Sequence, residues 1–115
     1  MVSSEVDRCA AREIALYASN ESGIYRQSIR PIVLNLARKK VAGTYDRSLA
    51  VKAWEYAVKH AVERYSKEFG TIVLNPASRI ACARELQAEW QSELDYTYRE
   101  MVALKKAGKP WAMRG

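Results

Sequence analysis

Basic and aromatic side chains around a glycine turn are the residues of this sequence best suited to binding chemistry. A run of one arginine and two lysines ends three residues before Gly43, and a tyrosine and further basic residues follow it. Clustered cations attract phosphate groups or another acidic surface, and a neighbouring aromatic ring can stack on unpaired bases. A tryptophan beyond the last predicted helix could anchor a partner, and the alternative is that it folds back onto the protein. The candidate binding residues are Arg38, Lys39, Lys40, Tyr45, Arg47, Lys52 and Trp111.

The positive charge of the chain is concentrated in its middle. The 115 residues include 19 Lys and Arg against 13 Asp and Glu, a formal net charge of +6. Residues 26–67 hold ten basic and three acidic side chains, whereas residues 1–25 are net negative. This distribution favours an anionic partner, and the alternative is a solvated surface that provides only solubility. No helix-turn-helix spacing, RNA-binding sheet motif or zinc finger predicts sequence-specific reading of bases.

Residues typical of catalysis are few and poorly spaced. His60 is the only histidine, and general-base chemistry would need an acid or a nucleophile positioned beside it. Cys9 and Cys82 belong to no CxxC or Cys/His pattern, so neither zinc binding nor a Cys–His nucleophile is indicated. The five glycines lie at predicted helix ends or at the terminus, which leaves no phosphate-binding glycine loop. The sequence therefore predicts a protein without catalytic residues, metal or cofactor.

Three glutamates fall on one face of a predicted helix. Glu85, Glu89 and Glu93 follow an i, i+4, i+8 spacing, which a row of metal ligands would also have. Because no Glu-x-x-His pair accompanies them and Arg84 lies beside them, we expect a solvated stripe instead of a metal site.

Long helices would have to position these side chains. Only 5 glycines and 3 prolines occur, and apolar residues recur at three- and four-residue spacing. We predict an all-α fold, a four-helix bundle-like single domain over residues 1–107, followed by a basic tail that contains Trp111. The predicted helices cover about 4–20, 22–42, 47–69 and 76–106.

The second and third helices meet at the most distinct turn of the chain. Gly43 suits a left-handed helix cap, and Asp46 can cap the next helix by accepting from the amides of Ser48 or Leu49. Pro31 complicates the second helix because it lacks an amide donor and clashes with the carbonyl group four residues earlier. We favour a kink there; the alternative is a short turn before a helix that starts near Ser28.

The predicted core follows the apolar stripes. The aromatic side chains predicted to lie in it are Trp54, Tyr65, Phe69 and Trp90, and Leu49 begins the stripe of the third helix. The connector over residues 71–74 should plug one end of the core as a loop; the alternative is an edge offered to a partner strand.

The last helix carries a heptad-like seam. About thirty residues at ~1.5 Å each would give roughly 45 Å, more than the other helices could cover. Part of it should therefore project or pack against another copy of the chain. The seam residues are Ala83, Gln87, Trp90, Leu94, Thr97, Met101 and Leu104.

The expected compartment is a reducing cytoplasm. Two cysteines do not make a disulfide scaffold, and the N-terminus lacks the basic start and apolar stretch of a secretory signal. No apolar run approaches the ~20 residues that a bilayer crossing needs.

Four segments of the chain share a pattern of turns and helical stripes: YASNESGIY at 17–25, NLARKK at 35–40, GTYD at 43–46 and YSKEFG at 65–70. Over roughly residues 13–85, this pattern resembles a group of small uncharacterised proteins encoded by bacteriophages and mobile elements. It implies a phage-type protein that acts in the host cytoplasm, and it implies no particular activity. Small phage proteins of this size often bind host machinery, which by analogy favours an interaction protein.

The functional prediction is a non-catalytic interaction protein that docks a basic surface on an anionic host partner, either nucleic acid or a nucleoprotein complex. One alternative is a stoichiometric inhibitor of a host defence or replication enzyme, using an aromatic and apolar surface on the last helix and the tail. Another is a structural protein that self-assembles through the last helix.

Overall fold

Five helices make up the fold in a computed structural model that describes residues 4–112, with side chains from Ala11 onward. No strand occurs within that range, so the all-α prediction is confirmed. Cys9 and the last three residues of the predicted tail lie outside the described side chains. The helices are α1 (Ser4–Asn20), α2 (22–42), α3 (Arg47–Phe69), α4 (Pro76–Glu89) and α5 (Gln91–Lys106).

The helices pack as a group of three and a pair. Helices α1, α3 and α4 contact one another, and α5 packs along the C-terminal part of α2. Helix α2 also reaches the group of three through its N-terminal turns, and the molecule measures 56 × 25 × 17 Å. Within the described residues there are therefore five helices in place of the four that periodicity predicts.

Helix α2 is continuous but irregular before Pro31. Its first residues Ser22–Ile24 are α-helical, Tyr25–Ile29 form a π-helical turn, and Arg30–Ala42 return to α-helix. The Arg30 amide bonds the Tyr25 carbonyl, five residues back. A π-helical turn widens the helix where a proline ring would meet the preceding carbonyl groups, which gives a physical reason for its position.

The turn between α2 and α3 forms as its residues dictate. Gly43 adopts φ 77°, ψ 16°, and its amide bonds carbonyl groups of the last turn of α2. The Asp46 carboxylate accepts from the amides of Ser48 at 2.8 Å and Leu49 at 3.2 Å. The glycine ends one helix with a left-handed residue, and the aspartate satisfies the free amides that begin the next.

The prediction of one helix over 76–106 is wrong, because the chain breaks at Trp90. This residue has φ −100°, ψ 9°, which lies outside the helical region, and its ring packs 5.2 Å from that of Tyr25. Helix α4 belongs to the group of three and α5 belongs to the pair with α2. The break falls where the packing partners of the chain change, although the helical periodicity of the sequence continues through it.

The seam of the last helix is covered largely within the chain. Leu94, Thr97 and Met101 of α5 are buried, and α5 packs along α2.

Asn75 caps α4 by accepting from the Ser78 amide at 2.8 Å, with Pro76 in the first turn. The helix start predicted there is therefore correct, although the predicted end is not.

The core prediction is correct for Trp54, which is 1% exposed, but wrong for both ends of its helix. Leu49 is 52% exposed and Phe69 is 62% exposed. Leu49 lies on the exposed face of α3 together with Lys52 and Tyr56, and Phe69 is the last residue of that helix. Tyr65 and Trp90 are half-buried against the core.

The connector between α3 and α4 has no regular structure. Leu74 is buried and Ile72 packs against the core, whereas Val73 is 83% exposed. This segment therefore closes one end of the core as a loop.

In the described part of the chain, no helix is both long enough and apolar enough to cross a membrane.

Candidate functional site

A groove of about 1070 Å³ opens between α3 and α4 beside the Gly43 turn. Since a link of six residues joins the two helices and they pack together, they are antiparallel neighbours. Their facing side chains form the two walls, and residues from the end of α2, the turn and the start of α5 also line it. The lining residues are Lys40, Tyr45, Arg47, Ser48, Val51, Lys52, Glu55, Ile80, Arg84, Gln87, Ala88 and Gln91.

The α3 wall follows directly from helical periodicity. Arg47, Val51, Lys52 and Glu55 recur at three- and four-residue spacing, which places them on one face of the helix. The adjoining face of α3 enters the core, where Trp54 is 1% exposed. The same helix thus supplies an apolar stripe to the protein and a basic stripe to the groove.

The α4 wall has the same construction. Ile80, Arg84, Gln87 and Ala88 share one face, and the face that carries Leu86 is buried among α1 and α3. Arg84 therefore projects from α4 toward the groove that α3 lines with Arg47 and Lys52. This convergence needs the pairing of two helices that are separated in sequence by the connector.

The groove is electropositive. Four cations line it, and Glu55 is its one carboxylate among the described residues. Within the described part of the chain, Arg47, Lys52 and Arg84 have no carboxylate within ion-pair distance. These three side chains are exposed, so their charges are available to a ligand and are screened by salt.

Lys40 is the fourth cation and is more constrained. Its ammonium group lies 3.7 Å from a carboxylate oxygen of Asp95 on α5. It also lies 5.6 Å from the ring centroid of Tyr45 and 5.0 Å from that of Tyr98. Because its charge is shared with a carboxylate and two rings, Lys40 contributes less to the field of the groove than the three unpaired cations.

Three of the seven predicted binding residues do not line the groove. Arg38 and Lys39 are half-buried on α2, and the Lys39 carbonyl accepts from the Thr44 amide at 2.9 Å as part of the helix cap. Trp111 is half-buried and packs against the core, with the Lys105 ammonium group 5.5 Å from its ring centroid. The predicted cluster is therefore divided, and only its part nearest α3 reaches the groove.

Sequence reasoning missed the α4 wall, and its assignment of Gln87 to the seam of the last helix is wrong, because Gln87 lines the groove. Arg84, Gln87 and Gln91 share a polar face at helical spacing, a signal that is visible in the sequence. It identifies a solvated face without indicating which other helix that face lies beside. The Gln91 side-chain amide donates to Asp95 at 3.0 Å, which leaves its amide oxygen as an acceptor.

Polar contacts outside the groove are structural in character. The Ser28 hydroxyl and His60 Nδ1 lie 2.7 Å apart, and Ser28 is 2% exposed, so the pair joins the π-helical turn to α3 inside the protein. No group of metal-ligating side chains that could hold an ion occurs among the described residues.

The expectation of a solvated glutamate stripe is wrong for Glu93. Its Oε1 accepts from the Tyr25 hydroxyl at 2.6 Å and lies 3.6 Å from an Arg30 nitrogen. Burial, and then the hydrogen bond to Glu93, raise the pKa of Tyr25 above its ordinary value of 10. Because α5 packs along α2, Glu93 meets Tyr25 and Arg30, whereas Glu85 and Glu89 stay exposed.

Cys82 is part of the core. It is fully buried and unpaired, and burial raises the pKa of its thiol to about 12. Because the thiolate is the nucleophilic form, this cysteine is unreactive near neutral pH.

Comparison of the chain with protein-family models, with curated proteins and with solved structures gives no significant match.

Proposed function

We propose that this chain is a non-catalytic interaction protein that binds an anionic partner, nucleic acid or a nucleoprotein complex, in the groove between α3 and α4. The observation that carries the proposal is that three cations without ion pairs project into one groove from two helices. Arg47 and Lys52 come from α3, and Arg84 comes from α4.

The arrangement differs from that of an ordinary solvated surface. On such a surface, basic and acidic side chains alternate and their fields cancel at short range. Here Glu55 is the single carboxylate in the lining, as far as the described residues extend. A net positive concavity raises the local concentration of anions and speeds their association.

The host-directed hypotheses that use other surfaces have less support. Inhibition of a host enzyme or self-assembly would use the last helix and the tail, where Leu94, Met101 and Trp111 pack within the chain. A phage-type origin, and with it a host partner in the cytoplasm, remains part of this proposal.

A salt titration of binding to a labelled mixed-sequence oligonucleotide tests the proposal. Three phosphate contacts on a single strand give a salt slope of about −2, so affinity should fall about 20-fold between 50 and 200 mM salt. The variant Arg47→Gln, Lys52→Gln, Arg84→Gln should lose most of the affinity and most of this slope.

The matched control removes the same charge elsewhere. Lys67→Gln, Arg99→Gln, Lys106→Gln changes three exposed cations that do not line the groove. Its affinity should stay close to that of the parent protein. Equal weakening in both triple variants would show that binding follows net charge alone, and the groove would be rejected as the site.

A further inference from the structure

We infer that the partner in this groove is a single strand of nucleic acid and not a duplex. The inference rests on the proposed anion-binding function and specifies its ligand. It depends on the residues between the cations, which a phosphate-binding surface alone would not require.

The first observation is the apolar part of the lining. Val51, Ile80 and Ala88 line the groove between the basic side chains, and Ile80 is 38% exposed to water. A duplex buries its base faces in stacking and presents phosphates and sugars outward, so it would leave these side chains uncovered. The unstacked bases of a single strand have apolar faces that can cover them.

The second observation is the neutral polar groups. Gln87 and Gln91 lie in the same lining, and each amide offers donors or acceptors that match the exposed edges of unpaired bases. Tyr45 adds a half-buried aromatic ring at the end of the groove, with Lys40 beside it. A site for phosphate alone would need neither amides nor an aromatic ring.

The third observation is shape. Reading of the major groove of a duplex requires an element that protrudes into a channel about 12 Å wide. The cations here line a concavity between two packed helices. Chain-like ligands enter such a concavity, whereas a duplex would contact only its rim.

The length of the groove predicts the size of the site. From Arg47 to Glu55 the α3 wall rises about 12 Å along the helix axis. At about 3.4 Å per nucleotide of a stacked strand, this length accommodates three or four nucleotides. Affinity should therefore increase steeply up to about four nucleotides and only slightly beyond.

The test compares oligonucleotides by fluorescence anisotropy at fixed salt. Mixed-sequence single strands of two, four and eight nucleotides, as DNA and as RNA, are measured against a hairpin duplex of the same composition. We expect the eight-nucleotide strand to bind about tenfold more tightly than the duplex, because base contacts add to phosphate contacts only in the strand. The DNA and RNA arms show whether the 2′-hydroxyl contributes.

A substitution in the apolar lining separates base contacts from charge. Ile80→Asn should weaken single-strand binding by about fivefold with an unchanged salt slope, because it removes apolar contact and no charge. Leu49→Asn is the control, since Leu49 is 52% exposed on α3 and does not line the groove. A circular dichroism spectrum and melting curve establish that each variant is folded.

The outcomes separate this inference from the proposal beneath it. Equal or tighter binding of the duplex, with Ile80→Asn neutral, would overturn the single-strand inference and leave an anion-binding groove. Binding of polyglutamate but of no nucleic acid, abolished by the groove triple variant, would identify an acidic protein as the partner and also overturn it. If the groove triple variant and its control triple variant lose the same amount of affinity, the proposed function itself is overturned.

Discussion

Asp46 performs two tasks that substitution can separate. Its carboxylate caps α3 by accepting from the amides of Ser48 and Leu49, and its negative charge directly precedes Arg47, which lines the groove. Asp46→Ala removes both the cap and the charge. Asp46→Asn removes the charge and keeps an amide oxygen that caps helices as well as aspartate does.

The two variants should differ in stability. Loss of the cap in Asp46→Ala should lower the free energy of unfolding by about 1 kcal/mol, a fall of about 4 °C in melting temperature for a domain of this size. Asp46→Asn should change the free energy of unfolding by less than about 0.5 kcal/mol, because it loses only the interaction of a negative charge with the helix N-terminus. Urea unfolding followed by circular dichroism measures both.

The same variants should agree in binding. At a separation of about 8 Å in water, a carboxylate and a phosphate repel each other by about 0.5 kcal/mol. Either substitution should therefore raise oligonucleotide affinity about twofold, so Asp46→Ala becomes less stable and yet binds more tightly. Equal destabilisation by the two variants would refute the capping argument, and weaker binding in both would refute an anion site at this end of α3.

Three further predictions concern residues outside the groove walls. Gly43→Ala should cost about 1 kcal/mol from backbone strain alone, since φ is 77° and no atom lies within 4 Å of the added Cβ; urea unfolding measures it. Cys82, whose thiol pKa is raised to about 12, should resist alkylation at pH 8 in a Cys9→Ser background and react once urea unfolds the chain, as mass spectrometry would detect. Tyr25→Phe should lower the free energy of unfolding at pH 7 by about 1.5 kcal/mol through loss of the bond to Glu93. Because the folded state raises the Tyr25 pKa above 10, this stabilisation is complete below pH 10 and declines as pH rises further, so the two melting temperatures should converge in alkaline buffer.

Helix starts and stops were predictable wherever a local residue determines them. Gly43 and Asp46 act through their own backbone and side-chain geometry, and the structure agrees with the prediction at both. The predicted helix start at residue 76 is also correct, and there Asn75 supplies the cap. Gly70 likewise ends α3 with φ 105°. Such signals depend on atoms a few residues apart, so no knowledge of the remaining chain is needed.

The break at Trp90 was not predictable in the same way. The residues on both sides continue one helical periodicity, and no glycine or proline interrupts it. It coincides with a change of packing partner, because α4 packs with α1 and α3 while α5 packs with α2. The exposure of Leu49 and Phe69 was likewise not predictable, because burial depends on which parts of α3 the other helices cover.

The sequence by itself determined an all-α chain, the turn at Gly43 and the concentration of basic residues near it, because periodicity, caps and charge are local properties. Only the tertiary structure decided which of those cations share a groove. Arg84 joins Arg47 and Lys52 because α3 and α4 pack side by side, whereas Arg38 and Lys39 lie on another helix outside the groove. The distance between side chains on different helices depends on the packing of the whole core, which no short segment specifies.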